Sequence, residues 1–486
     1  MKEMIYQTVC PGCNIGCGLY IRENEEGALA VDFMKSSSAN LGKLCRFGMK
    51  LPHHYSKATG MVDGKEADIE TAVKAASDKL KGAKNVAMLA IGATTNEEHM
   101  AFTKIADALG TVVNTGIGAY EEIPSECHSS ISQGISMDDI EKASRIALFI
   151  DPYVQYPLLV RRLRAAKKNG ATIVSVGCRD LNLADENLSV NPADYKTKLG
   201  LDSNSIIITD VHPHTDPEQV KNLLNLALMT GAKIMFMKPF VDSTGVHLFG
   251  KGAGQKGLQE IMDGVNEGSI KTLVTLNSDL LELMPNTDEA AKILEKLDNL
   301  VVITSRDSPV NKLANIVIAT ESLYAKAGSF MNVEGQVLNN SGESTVGIDA
   351  MSTLSKNLGG EAFDFHAIHD KMMRSIVQKY TAPKYSKLEC KVMETAAPVE
   401  NGGNLISVHN PFMWCDQPDD NDFVIVNMKM VDKLGLQKGS MIALTSDAGS
   451  VNMRYTVRDI PDGLILTMKK LPVVTGNSTV VKAEAV

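Results

Sequence analysis

Residues 10–17 read CPGCNIGC, and a fourth cysteine follows at the centre of LGKLCRFG, residues 41–48. The spacing C-x2-C-x3-C-x27-C places three thiolates on one short loop and the fourth far along the chain. Four cysteine thiolates are the usual ligands of a cubane iron–sulfur cluster, and the glycines between them let the loop turn tightly. Zinc also accepts four thiolates, but zinc ribbons usually carry two C-x2-C knuckles, whereas this chain has one. We therefore expect a [4Fe-4S] cluster on the ligands Cys10, Cys13, Cys17 and Cys45.

The composition is that of a globular protein with an acidic balance. The 486 residues include 49 Lys and Arg against 58 Asp and Glu, so the formal net charge is −9. This balance argues against a nucleic-acid-binding surface, which needs clustered basic side chains. No apolar run of about 18 residues is present, and the first residues show no basic segment followed by an apolar one. We therefore expect a cytoplasmic protein with no membrane span, in which clustered cysteines are metal ligands rather than disulfides.

The order of strand and helix patterns divides the chain into five regions. Residues 1–60 are short strands and turns around the cysteines. Apolar strands alternate with helices over 61–200 and again over 201–355, which indicates two successive α/β domains with parallel sheets. Residues 356–421 form a connecting segment, and short alternating strands over 422–486 indicate a C-terminal β-barrel. The expected fold is an α/β multidomain protein with an N-terminal [4Fe-4S] domain.

Single elements are visible in the same patterns. The segment 64–82 has the apolar spacing of an amphipathic helix, and 85–92 is a continuous apolar run typical of a buried strand. The segment 96–110 is helical again.

With the cysteine motif and this order of regions, the sequence resembles the molybdopterin oxidoreductases. More narrowly, it is similar to the formate dehydrogenase α subunits and the formylmethanofuran dehydrogenase catalytic subunits, over nearly the whole chain. It carries an F-x-N-x-E-x-x-V signature at 330–337, and 427–451 is similar to the family's double-psi-like, pterin-binding barrel. The other similar stretches are ADIETAVKAASDKL (67–80), VQYPLLVRRLRAAKKNGATIVSV (154–176) and LLNLALMTGAK (223–233).

The resemblance also implies a metal centre. The family holds molybdenum or tungsten between two pyranopterins, as bis-molybdopterin guanine dinucleotide, and in the formate group a C-H-S segment supplies a protein ligand. Here ECHSS places Cys127 and His128 at that point in the order. A thiolate is a soft ligand for the metal, and an imidazole transfers protons near neutral pH. We interpret Cys127 as the metal ligand and His128 as the proton carrier; the alternative is that Cys127 is a buried structural cysteine.

Other motifs carry weaker signals. The stretch GKGAGQKG at 250–257 lies near a pterin-binding loop by the same resemblance, and a flexible loop is the alternative. Its candidate cofactor-binding residues are Gly250, Gly252 and Gly254. The basic run RRLRAAKK at 161–168 is interpreted as a solvated helix face. The remaining cysteines and loop histidines are interpreted as structural or exposed residues: Cys178, Cys390, Cys415, His53, His54, His212 and His214.

The sequence departs from the formate dehydrogenase pattern at three places. Val241 stands where that group carries an arginine that orients the substrate carboxylate, and a guanidinium is hard to replace there. Lys238 could supply a point charge nearby, but a surface or loop lysine is the preferred interpretation. Phe47 stands where many relatives have a lysine, while Arg46 gives a Cys-Arg-x-Gly sequence closer to the formylmethanofuran group. The stretch at 195–205 is also much shorter than in formate dehydrogenases.

The resemblance implies a subunit that interconverts formate and CO2 at molybdenum or tungsten. Electrons would leave through the cluster to an iron–sulfur or flavin subunit of a larger complex. The first alternative is a formylmethanofuran dehydrogenase catalytic subunit, which Arg46 and the short middle region favour. The second alternative is an electron-relay or scaffold subunit that keeps the fold without the pterin, similar to the large peripheral subunit of respiratory complex I. Val241 favours this second alternative.

Overall fold

A computed structural model describes residues 4–54, 56–132, 135–177, 180–250, 255–375, 385–391, 402–407, 423–476 and 478–486. The strands are β1 (Met4–Val9), β2 (Gly18–Glu23), β3 (Leu29–Phe33), β4 (Met61–Val62), β5 (Lys65–Glu66), β6 (Val86–Leu89), β7 (Val113–Asn114), β8 (Arg145–Leu148), β9 (Thr172–Val176), β10 (Glu186–Leu188), β11 (Ser205–Asp210), β12 (Lys233–Met237), β13 (Thr272–Leu276), β14 (Asn299–Thr304), β15 (Ile316–Ala319), β16 (Ser329–Met331), β17 (Val337–Asn339), β18 (Gly402–Ser407), β19 (Phe423–Val426), β20 (Ile442–Ser446), β21 (Gly449–Val457), β22 (Leu464–Thr467) and β23 (Ser478–Ala485). The helices are α1 (Arg46–Met49), α2 (Leu51–His54), α3 (Ile69–Leu80), α4 (Asn96–Leu109), α5 (His128–Ser132), α6 (Met137–Lys142), α7 (Leu159–Lys168), α8 (Tyr195–Lys198), α9 (Pro217–Thr230), α10 (Ser243–Phe249), α11 (Leu258–Asn266), α12 (Leu280–Leu283), α13 (Thr287–Leu294), α14 (Val346–Asn357), α15 (Phe365–Ser375) and α16 (Met428–Leu434).

The N-terminal strands β1, β2 and β3 form an antiparallel sheet in that order, here called the cluster sheet. The β1–β2 register pairs Val9 with Gly18, so the loop that joins the two strands is the cysteine loop. The amide of Cys10 donates to the carbonyl oxygen of Cys17 at 2.8 Å. The hairpin therefore fixes the two ends of the cysteine motif against each other.

Two mainly parallel sheets form the centre of the molecule. Within the described residues, the large sheet has the order β5-β4-β15-β14-β13-β6-β7, and its strands from β6 to β15 run parallel. The small sheet has the order β10-β9-β8-β11-β12 and is parallel throughout. Both sheets are covered by helices, as continuously apolar parallel strands require. The expected α/β parallel-sheet architecture is confirmed.

The division into successive α/β domains at residue 200 is wrong. The chain leaves the large sheet after β7, forms the whole small sheet, and returns to the large sheet at β13, which pairs with β6. The predicted boundary falls between β10 and β11, which belong to one sheet. The strand–helix alternation is the same in both sheets, so it does not reveal which sheet a strand joins.

Helix α4 shows how the local sequence sets one of these covering helices. Its N-cap Thr95 accepts from the amide of Glu98, and the Glu98 carboxylate accepts from the amide of Thr95, which completes a capping box. Gly110 ends the helix in the left-handed conformation at φ 67°. The predicted helix at 96–110 is therefore confirmed. No helix within the described residues is both long enough and apolar enough to cross a bilayer.

The C-terminal strands close into a barrel with the order β18-β22-β19-β21-β20-β23. The predicted barrel is confirmed, but its start is not at residue 422. Strand β18 pairs in parallel with β22 and antiparallel with β23, so the barrel closes only with residues 402–407 in place. Those residues were assigned to the connecting segment 356–421 because a single short strand, distant from its partners, has no local signature.

Candidate functional site

The four motif cysteines are grouped at the cysteine loop and the start of α1. Cys10, Cys13 and Cys17 are buried, Cys45 is partly buried, and none forms a disulfide. Burial, together with a smaller effect of the neighbouring Cys45, raises the pKa of Cys13 to about 12. The backbone amides at Gly48 and Phe47 hydrogen-bond the Cys45 thiol and oppose the rise of its pKa. Thiols held this way are protonated unless metal ions stabilise the thiolates.

The four thiols lie near one another, since, besides burial, Cys10, Cys13 and Cys45 all raise the pKa of Cys17, and they match the ligand set of a cubane cluster. Within the described ranges, no three His, Cys, Asp or Glu side chains are arranged to hold one metal ion. A cubane cluster takes one thiolate per iron, so its ligands surround a larger volume than the ligands of one zinc. Gly16 has φ 75°, and a Cβ there would lie 2.8 Å from the Cβ of Asn332. Only glycine fits at this point of the loop.

The loop between β12 and α10, residues 238–242, is here called the junction loop because it contacts three other parts of the molecule. The Lys238 amide donates to Asn14 Oδ1 at 2.9 Å, and the Asn14 amide donates to the Lys238 oxygen at 3.2 Å. The Val241 amide donates to the Pro11 oxygen at 3.3 Å. The Asp242 amide donates to the oxygen of Gly92, just after β6, at 3.0 Å. The junction loop thus holds the cysteine loop against the carboxyl end of the large sheet.

Lys238 lies in a loop, as expected, but it is fully buried, so the expected surface position is wrong. Its ammonium donates to the Ile131 oxygen of α5 at 2.7 Å and to the Phe236 oxygen at 3.3 Å. Burial lowers the pKa of Lys238 to about 7. Strand β12 ends inside the molecule, between the cysteine loop and α5, and the lysine that follows it is enclosed with it.

Val241, at the position of the expected arginine, is also fully buried. It belongs to an apolar group with Val9, Leu323 and Phe330. This position therefore supplies no cation, and its surroundings favour an apolar side chain.

Cys127 closes a 3-10 turn, Ser125–Cys127, that leads directly into α5. Its side chain is fully buried in the core that contains Ile117 and Ile131. Burial, together with a smaller effect of the Glu126 carboxylate, raises the pKa of Cys127 to about 11. The free thiol is therefore neutral at physiological pH and becomes a thiolate only when a cation binds it.

His128 has a defined proton position. Its Nε2 lies 3.1 Å from the Tyr120 oxygen and 3.0 Å from the Ile123 oxygen. Both partners are acceptors, so Nε2 carries the proton and Nδ1 is the acceptor in the neutral ring. The Tyr120 ring centroid lies 6.1 Å from that of His128.

His247 is a second imidazole here, which sequence reasoning missed. Its ring centroid lies 3.8 Å from that of Tyr120 and 5.0 Å from that of His128. Burial lowers the pKa of His247 well below its usual value, and His128 lowers it further. A single histidine inside the short helix α10 carries no motif, so the only available signal was its position just before the Gly-rich stretch.

The Gly-rich stretch begins at the end of α10. The Gly250 amide donates to the Val246 oxygen at 2.9 Å, and a Cβ at Gly250 would lie 2.8 Å from that oxygen. Gly250 is thus the C-cap of α10, the helix that contains His247. Gly252 and Gly254 lie outside the described residues.

A small cavity lies at the carboxyl edge of the large sheet. Parallel α/β sheets bind ligands at this edge. Pro11 of the cysteine loop and Phe240 of the junction loop line one part of it. Its polar lining residues include Asn277, Asp279, Glu282 and Arg306.

The polar lining is mostly braced by its own contacts. Arg306 forms a two-point ion pair with Glu282, and burial still raises the pKa of Glu282 to about 7. Asp279 accepts from the Leu281 and Val310 amides at 2.7 and 2.8 Å. The Asn277 side-chain nitrogen is buried and has no hydrogen-bond partner among the described residues. That donor, with the adjacent guanidinium, fits an anionic or carbonyl-bearing ligand.

The barrel contacts the molecule beside this cavity. The Lys470 ammonium donates to the Leu281 oxygen at 2.7 Å, and the Asn286 side chain donates to the Pro472 oxygen at 3.2 Å. Burial lowers the pKa of Lys470 to about 8. The barrel therefore brings a second cation to the carboxyl edge of the large sheet.

The remaining candidates do not join these groups. His53 is exposed, whereas His212 is buried and His214 places Nε2 2.9 Å from the Leu283 oxygen, so these two are structural rather than exposed. Cys390 is partly buried beside the Asn225 amide nitrogen at 3.2 Å. Cys178 and Cys415 lie outside the described residues, and nothing is described of the His54 side chain.

Comparison with known proteins identifies the cysteine region. Residues 3–56 match the family "Molybdopterin oxidoreductase Fe4S4 domain". The chain is 23% identical over 474 residues to the NADPH-Fe(3+) oxidoreductase subunit alpha of Geobacter sulfurreducens, covering 73% of this chain and 56% of that protein. It is 23% identical over 516 residues to the F420-dependent formate dehydrogenase subunit alpha of Methanocaldococcus jannaschii, covering 80% and 76%. The chain thus spans just over half the length of the Geobacter protein.

Acetylene hydratase from Pelobacter acetylenicus has the same overall fold. Its structure superposes with a TM-score of 0.61 at 13% identity, covering 98% of this chain and 99% of that one. Residues 3–56 therefore carry an Fe4S4 domain of the molybdopterin oxidoreductase class, and the chain shares the fold of acetylene hydratase. Within that class the chain resembles the formate dehydrogenase alpha subunits, at low identity.

Proposed function

We propose that this chain is the molybdopterin-binding subunit of a formate dehydrogenase-type oxidoreductase. It would interconvert formate and CO2 and pass electrons through the [4Fe-4S] cluster to a partner subunit. The observation that carries the proposal is the junction loop. Lys238 hydrogen-bonds the cysteine loop through its backbone and α5 through its ammonium. A metal ligand at Cys127 and a cluster at the cysteine loop are then parts of one buried structure.

Two places on this chain would hold the pterin dinucleotides. At the carboxyl edge of the large sheet, Asn277 and Arg306 offer hydrogen-bond donors, and Lys470 of the barrel lies beside them. At the end of α10, Gly250 opens the Gly-rich stretch. When bound, the cofactor supplies a molybdenum or tungsten ion that accepts electrons from the substrate.

The surroundings of Cys127 and His128 support the roles that we propose for them. The buried environment of Cys127 disfavours an uncompensated thiolate. Its thiol would therefore lose the proton only when it binds the metal, whose positive charge stabilises the thiolate. His128 holds its Nε2 proton against two carbonyl oxygens, so Nδ1 is the atom that accepts a proton. Val241 packs among apolar side chains, and we assign it no role in binding a carboxylate.

The decisive measurement is the elemental content and activity of anaerobically purified protein. We expect about four iron atoms with molybdenum or tungsten and extractable pterin, and formate-dependent reduction of a viologen dye. Formylmethanofuran is the competing substrate in the same assay. Turnover of that substrate without formate turnover would overturn the formate assignment.

Two variants test the residue roles. Cys127→Ala is expected to remove a sulfur from the molybdenum or tungsten X-ray absorption shell and to stop turnover. His128→Ala is expected to keep that shell and lower turnover about 10²–10⁴-fold. An unchanged metal spectrum in Cys127→Ala would show that Cys127 is a packed core residue.

The relay or scaffold subunit is the second candidate function. The apolar surroundings of Val241 favour it, because a site that binds no carboxylate needs no arginine there. Protein that contains iron but neither molybdenum, tungsten nor pterin would support this candidate and overturn the enzymatic one.

A further inference from the structure

The segment around Cys45 is basic, although the whole chain is acidic. Residues 33–62 contain five Lys and Arg and no Asp or Glu, whereas the formal net charge of the chain is −9. Helix α7 adds exposed basic residues at Arg161, Arg164 and Lys168, which the spacing i, i+3, i+7 places on one face. We call this set the basic rim, and its exposed members are Lys35, Lys43, Arg46, Arg161, Arg164 and Lys168.

The two parts of the basic rim are in contact. Arg161 Nη1 lies 3.5 Å from the Asn40 oxygen, and Arg162 Nη2 donates to the Ser38 oxygen at 3.3 Å. Asn40 in turn fixes this segment to the cysteine loop, because its side chain accepts from the Gly18 amide and donates to the Gly18 oxygen, both at 3.0 Å. The basic face of α7 is therefore continuous with the segment that carries the fourth cluster ligand.

Four of the six rim cations have no acidic partner among the described residues. Within the part of the chain that the structure describes, none of Lys35, Lys43, Arg164 and Lys168 forms an ion pair. Arg162, on a neighbouring face of α7, differs because it pairs with Asp138 and Glu141 at 3.0 and 2.6 Å. The charges of these four residues are thus available to an external anion, whereas the Arg162 charge is used internally.

Exposed apolar side chains lie inside the same segment. Leu41 and Met49 are 43% and 51% exposed, four residues before and after Cys45. Cys45 is itself the motif cysteine that is not fully buried. Protein–protein interfaces usually combine apolar side chains with a polar rim, and here the exposed apolar residues flank in sequence the motif cysteine that is least buried.

We propose that the basic rim is the docking surface for an acidic electron-carrier protein. One electron passes between the cluster and the redox centre of the carrier, so one is oxidised as the other is reduced and no bond forms or breaks. The positive rim steers an acidic carrier to the exposed side of the cluster, which raises the association rate. The inference rests on the cluster part of the proposed function, but not on formate turnover.

The test uses a small acidic [2Fe-2S] ferredoxin as the probe. Reduced ferredoxin is mixed with the oxidised full-length protein, and stopped-flow absorbance follows electron transfer to the cluster at several salt concentrations. The wild-type rate of electron transfer is expected to fall as the salt concentration rises. The triple variant Lys35→Glu/Lys43→Glu/Arg164→Glu is expected to lower the rate at low salt by about 10-fold or more, and its rate should no longer fall with salt. The matched control, Lys81→Glu/Lys84→Glu/Lys438→Glu, carries the same charge change outside the rim and is expected to stay within twofold of wild type.

Iron content and the cluster absorbance spectrum are measured first, to show that both variants are folded. Basic cytochrome c is a second probe, and it is expected to react faster with the rim variant than with wild type. Equal rates for the rim and control variants would overturn the proposal. The proposal would also be overturned if the wild type bound duplex DNA, phosphatidylglycerol vesicles or a second copy of the chain, and the rim variant lost that binding while its electron transfer from ferredoxin stayed unchanged. Loss of formate turnover with an intact ferredoxin response would contradict only the proposed function.

Discussion

His99 is a fully buried histidine on α4 whose two ring nitrogens have no hydrogen-bond partner among the described residues. Burial lowers its pKa to about 4, below the value of about 6.5 in an unfolded chain. Between these two values the unfolded chain binds a proton that the folded chain does not. The stability is therefore complete above pH 6.5 and is lost as the pH falls through this window.

We expect His99→Leu to resist acid better than wild type. The two proteins should differ little in acid response above pH 7, whereas at pH 5 the wild type should have lost about 2 kcal/mol more. Denaturant midpoints at pH 7.5 and pH 5 measure the difference. Parallel losses in both proteins would show that His99 is solvated or paired.

A second expectation at the residue scale concerns Cys13. Cys13→Ser is expected to abolish the low-temperature EPR signal of the reduced protein and to increase proteolysis within residues 4–54, because the cluster crosslinks this segment. Cys390→Ser is the control, since Cys390 lies beside Asn225 on α9, outside the motif. A wild-type signal in Cys13→Ser would exclude Cys13 as a ligand.

The predictability of single residues depended on whether their chemistry is local in sequence. The cysteine spacing predicted the grouped thiols because three of them share one loop. The burial of Lys238 had no such signal, since a lysine after an apolar strand also occurs wherever a strand reaches the surface. The pairing of His247 with Tyr120 and His128 depends on contacts across more than 100 residues of chain.

At the scale of elements, two buried carboxylates in the first turn of α4 form ion pairs and hydrogen bonds with distant parts of the chain. Glu98 forms a buried ion pair with Lys326. Glu97 accepts from the Ser329 amide at 2.8 Å, and His369 Nδ1 of α15 lies 2.7 Å from the same carboxylate. The first turn of α4 thus contacts Lys326, the start of β16 and helix α15.

Lys326→Met is expected to lower stability by about 3–5 kcal/mol, because it leaves the Glu98 charge buried and unpaired. Lys326→Met/Glu98→Gln should recover most of the loss, since glutamine keeps the capping box and carries no charge. Denaturant midpoints of the two variants measure this. If the double variant is no more stable than the single one, packing rather than charge accounts for the loss.

Element boundaries were predictable where capping residues mark them. The helix at 96–110 matches α4 because Thr95 and Gly110 are an N-cap and a C-cap. Strand β18 was missed because its stability comes only from β22 and β23, which lie about 60 and 75 residues further along the chain.

At the scale of the whole molecule, the barrel is attached beside the cavity of the large sheet through Lys470 and Pro472. Deletion of residues 402–486 is expected to leave the iron content intact and to release the pterin, because the cluster ligands lie in a separate part of the fold. Iron and pterin analysis of the truncated protein measures both. Full pterin retention would contradict a pterin-binding role of the barrel.

The position of this truncation matters. A chain that ends at residue 421 keeps β18 without its barrel partners, and an unpaired strand favours aggregation. We therefore expect the chain ending at 421 to be less soluble than the chain ending at 401. Size-exclusion chromatography of the two proteins compares them.

The overall architecture was predictable in class but not in connection. Apolar strands alternating with helices predicted parallel sheets because both faces of such sheets are buried. The pairing of β13 with β6, which joins Thr272 to Val86, follows from no local pattern. A boundary drawn along the chain therefore divided the small sheet.

The return of the chain to the large sheet at β13 also has a consequence for biosynthesis. During translation, β6 and β7 leave the ribosome more than 150 residues before β13, so their open edge stays without its partner while the small sheet is made. The small sheet is complete in sequence by β12 and can form first, and the large sheet closes around it afterwards. Long-range pairing of this kind is slow and exposes aggregation-prone edges. We therefore expect the nascent chain to be most prone to aggregation between residues 114 and 272, before β6 gains its second partner β13.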